Sequence, residues 1–407
     1  MADFAALLTG IHPLQADHDV PVEALMHARV DAALAWGRLQ GLVAHLDGTI
    51  ARVFAASLIR AQLVDALRQA GHAEPATHFD RWFCGLQPAF RSGPHVFAPA
   101  WVLAAAVLAE LANARFEPLA RTAQQLRAAA TVELVRAGPS PSLTLRQTID
   151  AAADLAASAN AAEPRAWPLA AADCLHARAA ASADFAPVEP ERQWRDTPAG
   201  RIGFEPPRPA APLWAIDLAA GAALARGVAH STPLPCPGLI RAEALAPWLW
   251  PNERGILVAE ALTRCAERLT TLLAEARTQV DYMTQHLGGV RSTSRAPELY
   301  ALLAGFGPLR PHQIEHACRV SKNGARELVK TLGEAKLAIA ERHGTQVLIR
   351  PSGPVEDQTS PSLAASPLPA LSPASLAEFD AALADIDRLL ARSGNGEDQT
   401  ETAEPSR

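Results

Sequence analysis

The chain has 407 residues, enough at ~150 residues per domain for two or three domains with a sizeable core. Hydrophobic residues make up 49% and charged residues 20%, which argues against a disordered chain or a protein built of membrane spans. Ala supplies about a fifth of the sequence, and Ala favours helices and disfavours strands, so an all-β fold is excluded and the expected class is mainly α.

The net charge of −6 conceals an asymmetry. Residues 291–352 carry ten Lys and Arg against five Asp and Glu, residues 353–407 carry three against ten, and residues 1–290 are mildly acidic. All three lysines, Lys322, Lys330 and Lys336, fall in the basic stretch. Such a segment points to a polyanion partner. Five cysteines without C-x-x-C spacing fit neither a disulfide framework nor a zinc ribbon. The start of the sequence lacks a secretory pattern, and the longest uncharged apolar run, Val96 to Ala109, contains Pro99 and is too short for a bilayer. A cytoplasmic protein without membrane contact is expected.

In chain order, apolar periodicity predicts two long helices between Val22 and about Gly71, broken at Asp47-Gly48 and read as an antiparallel pair. Further helices are predicted at about 98–115, 119–136, 143–160, 167–180 and 211–228, with no strand in this body. Prolines at 187, 190, 198, 206, 207 and 209 predict an irregular connector. A long helix at about 255–287 follows, with Leu257, Ala261, Leu262, Cys265, Leu269, Leu272 and Leu273 on its apolar face. The expected organisation is a helical domain over 1–185, a connector over 186–213, a helical domain over 214–290, a basic module over 291–352, and a linker, acidic helix (376–391) and tail over 353–407.

Within the basic module the signals agree on a winged helix-turn-helix. Ser294, Pro297 and Glu298 start a helix that stops at Gly305, Pro311 opens a second, and Ser321 caps a third running from Lys322 to about Ala335. Two β-favouring runs, 337–339 and 346–349, flank a turn at His343-Gly344. A helix fills the major groove of DNA and presents its N-terminal side chains to base edges, so Lys322, Asn323, Arg326 and Lys330 become candidate DNA contacts. Arg319 in the turn and Arg342, His343 and Arg350 on the hairpin complete the candidate set. Arg319 stands where such turns often carry Gly, and Gly324 weakens the first turn of the recognition helix.

The segment from Ser294-Arg295-Ala296 through Leu302-Leu303-Ala304, Val320-Ser321-Lys322 and Leu328-Val329 to Ile339-Ala340-Glu341 resembles the C-terminal helix-turn-helix of a bacterial family. That family is found in rhizobia and relatives, is often plasmid-borne, and carries a helical domain of unknown function. The order of elements over residues 22–350 is similar as well. The resemblance implies a DNA-binding protein with no established reaction. The stretch Ala33-Leu34-Ala35-Trp36-Gly37-Arg38-Leu39-Gln40-Gly41 and the C-terminal module also resemble the non-catalytic ends of Fic-type adenylyltransferases. Their catalytic loop, a His followed by Gly-Asn-Gly-Arg, does not occur here.

The reading is therefore a regulator of transcription or plasmid maintenance that binds double-stranded DNA, expected to be a homodimer through helix 255–287 or helix 376–391, with no enzymatic activity and no cofactor. The first alternative is a protein-interaction scaffold whose winged helix docks protein. The second is a metal-dependent hydrolase: His312-Gln313-Ile314-Glu315-His316 matches H-x-x-E-H, in which the two histidines share a zinc and the Glu serves as base. No Walker loop, G-x-G-x-x-G or G-x-S-x-G occurs. Trp214, Trp248 and Trp250 read as core or interface anchors, and His27, His45 and His176 as structural histidines.

Overall fold

A side-chain cap sets the first helix boundary. Asp47 accepts the Thr49 amide at 2.7 Å and separates α1 (Val22–Ala44) from α2 (Gly48–Gln69). The computed structural model describes residues 20–87, 90, 96–131, 133, 143–159, 168–186, 193–197, 200–204, 211–226, 231–287 and 294–353. The described part is mainly α, and one apolar core runs through it from α1 to the C-terminal hairpin.

α2 is buried on every side, with Phe54, Leu58, Ile59, Leu63 and Leu67 fully buried, and a helix of that kind belongs in the centre. Around it pack α3 (Pro75–Phe83), α4 (Ala100–Leu111), α5 (Glu117–Ala129), α8 (Leu213–Ala225), α9 (Pro251–His286) and α10 (Ala296–Phe306). These six claim its circumference, so the expected pairing of α1 with α2 does not form. α1 lies along α9 instead, their N-terminal ends together: Asn252 Nδ2 donates to the Val20 carbonyl at 3.0 Å. The apolar face of α9 is spent in this contact and on α2. α6 (Leu143–Ala159) and α7 (Leu169–Ala181) complete the body, close to their predicted bounds.

Two strands stand where only an irregular connector was expected: β1 (Gln193–Thr197) pairs antiparallel with β2 (Gly200–Phe204). The prolines flank or join the strands rather than interrupt them, which is where a hairpin tolerates proline. Trp194 and Ile202 are exposed there, and the Arg201 guanidinium lies over the Trp194 ring, 5.4 Å from its centroid.

The stretch from Ser231 to Leu245 wraps α8 and ends in a short 3₁₀ turn, Ala242–Leu245. Fully buried Asp217 holds it, accepting from the Gly238 and Ile240 amides at 2.9 Å each and from Gln69 at 3.0 Å. Burial pushes its carboxyl up to about 7. Gly221 is required beneath this loop, because a Cβ there would sit 1.8 Å from the Leu234 carbonyl oxygen. Trp214 is a core residue as expected, whereas Trp248 is exposed. His176 is buried, its Nδ1 donating to the Ala172 carbonyl at 2.9 Å, while His27 and His45 lie on the surface.

After α10 come α11 (Pro311–Cys318), α12 (Lys322–Glu334), β3 (Ala338–His343) and β4 (Gln346–Pro351). β3 and β4 pair antiparallel, and Leu309 bridges to Ile349 through amide–carbonyl bonds of 3.1 and 2.8 Å. Gly305 does not stop α10. The helix runs on to Phe306, and Gly305 marks its crossing with α2, where a Cβ would lie 2.3 Å from the Val53 carbonyl oxygen. The stop is Gly307, at φ +120°, a backbone conformation that glycine alone adopts cheaply. The linker, acidic helix and tail expected beyond residue 353 lie outside the described residues.

Candidate nucleic-acid interface

The C-terminal helices are anchored to the body from below. Phe306 enters an aromatic group with Phe79 and Phe83, ring centroids 5.5 and 4.6 Å away. Arg60 donates to both Asp80 and the Phe306 carbonyl. Buried Gln313 donates to the Phe83 carbonyl at 2.9 Å, and Arg310 to the Cys84 carbonyl at 3.1 Å. α11 packs on α5. This fixes α10 and α11, and through them everything they carry.

α12 is different. Its neighbours are α10, α11 and β3, and only Ala325 and Leu332 are buried, with Leu328 and Val329 half-buried beside them. Ser321 caps it, the hydroxyl accepting the Gly324 amide at 3.2 Å, so the two exposed residues that follow, Lys322 and Asn323, occupy the first turn. Lys322, Arg326 and Lys330 repeat every fourth residue along the exposed side, with Asn323 next to them. Lys322, Asn323 and Arg326 have no ion-pair or side-chain hydrogen-bond partner among the described residues. Lys330 faces Glu334 at 3.9 Å, an exposed pair of small worth.

The turn into α12 is built on Arg319, at φ +50° and ψ +50°. Its amide bonds the His316 carbonyl, and the Val320 amide bonds that of Glu315. A left-handed turn of this kind suits glycine, so Arg319 holds it at a cost of ~1 kcal/mol or more. Its side chain is exposed at the rim of a polar cavity of about 460 Å³ between α5, the start of α10 and the end of α11.

On the hairpin the three candidates separate. Glu341 binds Arg350 and His343 at 3.0 Å each, and the hydrogen bond from Arg350 holds its carboxyl below the usual range. Arg350 and His343 thus already have an acid between them. Arg342 is exposed with no such partner among the described residues, two residues before the turn at Gly344, where φ is +59°. Sequence reasoning missed Glu341, although its cross-strand diagonal to Arg350 was legible from the pairing of the two runs.

The H-x-x-E-H residues form a different picture. His312 is half-buried, its Nε2 enclosed without a hydrogen-bond partner, and burial followed by the charge of Arg310 lowers its pKa. His316 is exposed. Among the described residues no group of three or more His, Cys, Asp or Glu is placed to hold a metal ion. No described helix is long and apolar enough to cross a membrane. Compared with known proteins, the chain matches no family model and no curated relative.

Proposed function

We propose that residues 291–352 are a winged helix-turn-helix that binds double-stranded DNA, and that the protein is a regulator of transcription or plasmid maintenance. The observation that carries this reading is the outer face of α12, where exposed Lys322, Asn323 and Arg326 are unpaired among the described residues. Supporting it are the order of helix, helix, turn, helix and hairpin, the Leu309–Ile349 bridge that ties the hairpin to the first inter-helix loop, and the rigid seat of α10 and α11 on the body. In this reading α12 lies in the major groove, where Arg326 and Asn323 have the donors and acceptors to read guanine and adenine. Lys322, Lys330 and Arg319 neutralise phosphates, and Arg342 on the hairpin reaches the flanking backbone. Arg350 and His343 contribute less, since Glu341 already engages both side chains.

The test is fluorescence anisotropy of the full chain with duplex DNA from its own upstream region and with a scrambled duplex, across a salt series. A steep fall of log affinity with log salt, with a preference for the native fragment that Arg326→Ala removes, is the expected result. Absence of binding to either duplex at low salt overturns the reading in favour of a protein-docking module.

A further inference from the structure

Apart from its contact with α9, α1 has a second face that no described residue covers. Val22, Met26, Val30 and Leu34 recur every fourth residue and are 59%, 54%, 51% and 63% exposed. Ala33, Gly37 and Gly41 lie on the same side of the helix and extend the face toward its C-terminal end. A side chain at Gly37 or Gly41 would meet no atom within 4 Å. Glycine is the poorest helix former after proline, and no close contact among the described residues requires it at Gly37 in mid-helix or at Gly41 in the last turn. Where another helix comes close, small residues of this kind are what the approach requires.

We propose that this face pairs with itself, α1 of one copy lying antiparallel on α1 of a second copy. The two halves of the face are complementary in volume: bulky from Val22 to Leu34, bare from Ala33 to Gly41. A crossing centred between Ala33 and Leu34 sets Met26 opposite Gly41 of the partner subunit, Val30 opposite Gly37 of the partner subunit and Leu34 opposite Ala33 of the partner subunit. The two-fold axis repeats each contact in reverse, as an isologous interface demands. A parallel pairing sets bulk on bulk and glycine on glycine.

Charge agrees with the same register. Asp31 and Arg38 border the face on one side, and neither has an ion-pair partner among the described residues. The antiparallel crossing brings Asp31 beside Arg38 of the partner subunit, twice. A strip of this length on one helix lies near the lower bound of specific interfaces, about 1,000 Å² in total, so the dimer is reversible and concentration-dependent. The apolar face of α9, the other described candidate for pairing, is covered within the chain. The inference does not rest on DNA binding, although a two-fold dimer would present two α12 helices to paired half-sites.

Sedimentation equilibrium of the full chain without DNA tests it, so a failure here is distinct from a failure of the DNA reading. A reversible monomer–dimer equilibrium is expected, weakened about tenfold or more by Val30→Glu, which sets like charges near the axis. Asp31→Arg and Arg38→Asp are each expected to weaken it, and the double variant to restore it, a rescue that misfolding cannot imitate. A chain that stays monomeric at every attainable concentration overturns the proposal, as does a dimer that Val30→Glu leaves intact. A chain that dimerises only after residues 1–19 are removed assigns the face to those residues, and overturns it too.

Discussion

α2 and α12 belong to the same chain and have opposite relations to water. α2 buries side chains around its whole circumference and carries no candidate contact, whereas α12 buries two residues and turns Lys322, Asn323, Arg326 and Lys330 outward. The difference separates a helix that holds the core from one whose outer face is free for the proposed recognition. A substitution on α2 is expected to act on folding, and one on the outer face of α12 on the proposed DNA binding.

The largest expected effect lies at the stable pole. Phe54→Ala leaves a cavity beside the N-terminal half of α2 and is expected to cost about 3 to 5 kcal/mol of unfolding free energy, read by urea denaturation. Asp217 sharpens the comparison through pH. Its folded pKa of about 7 lies above the ~3.9 of an unfolded Asp, so the folded state holds a proton that the unfolded state has released. The stability from this group is complete below about pH 4 and is lost as pH rises to 7, on the order of 4 kcal/mol in all. His176 opposes it: burial lowers its folded pKa to about 4, and its contribution is lost as pH falls from 6.5 toward 4. The difference in unfolding free energy between the wild type and Asp217→Asn isolates the first effect, and is expected to move against the wild type as pH rises from 4 to 7.

At the other pole, Arg326→Ala is expected to weaken duplex binding by about 1 to 3 kcal/mol and to leave unfolding free energy within about 0.5 kcal/mol. A loss of stability as large as the loss of binding would erase the contrast between the two helices. Arg319→Gly gives the smallest effect. Relief of the left-handed backbone is expected to stabilise the fold by ~1 kcal/mol, while loss of the side chain weakens DNA binding, so the two readouts move in opposite directions.

What the sequence disclosed was local. The cap at Ser321, the prolines opening α10 and α11, and the turn at Gly344 each act within a few residues, and each element begins or turns where these residues say. What it hid was long-range. The choice of α9 over α2 as the partner of α1 is made 232 residues away at the Asn252–Val20 contact, and no periodicity within α1 records it. Gly305 has the same letter whether it ends a helix or admits a neighbour at 2.3 Å. Four candidate contacts, Lys322, Asn323, Arg326 and Lys330, could be named from the period of one capped helix, but the pairing of Arg350 and His343 with Glu341 depends on the side of the hairpin each side chain takes. The exposed face of α1 was read only as helical period. Its lack of cover becomes visible once α9 takes the other side.

Hydrogen exchange of the full chain with and without duplex DNA tests the central claim most directly, since it reports where DNA lies. Added protection over residues 319–330 and around Arg342, with the amides of α2 unchanged, is the result this account predicts. Binding that protects the body helices and leaves α12 as open as before would contradict it.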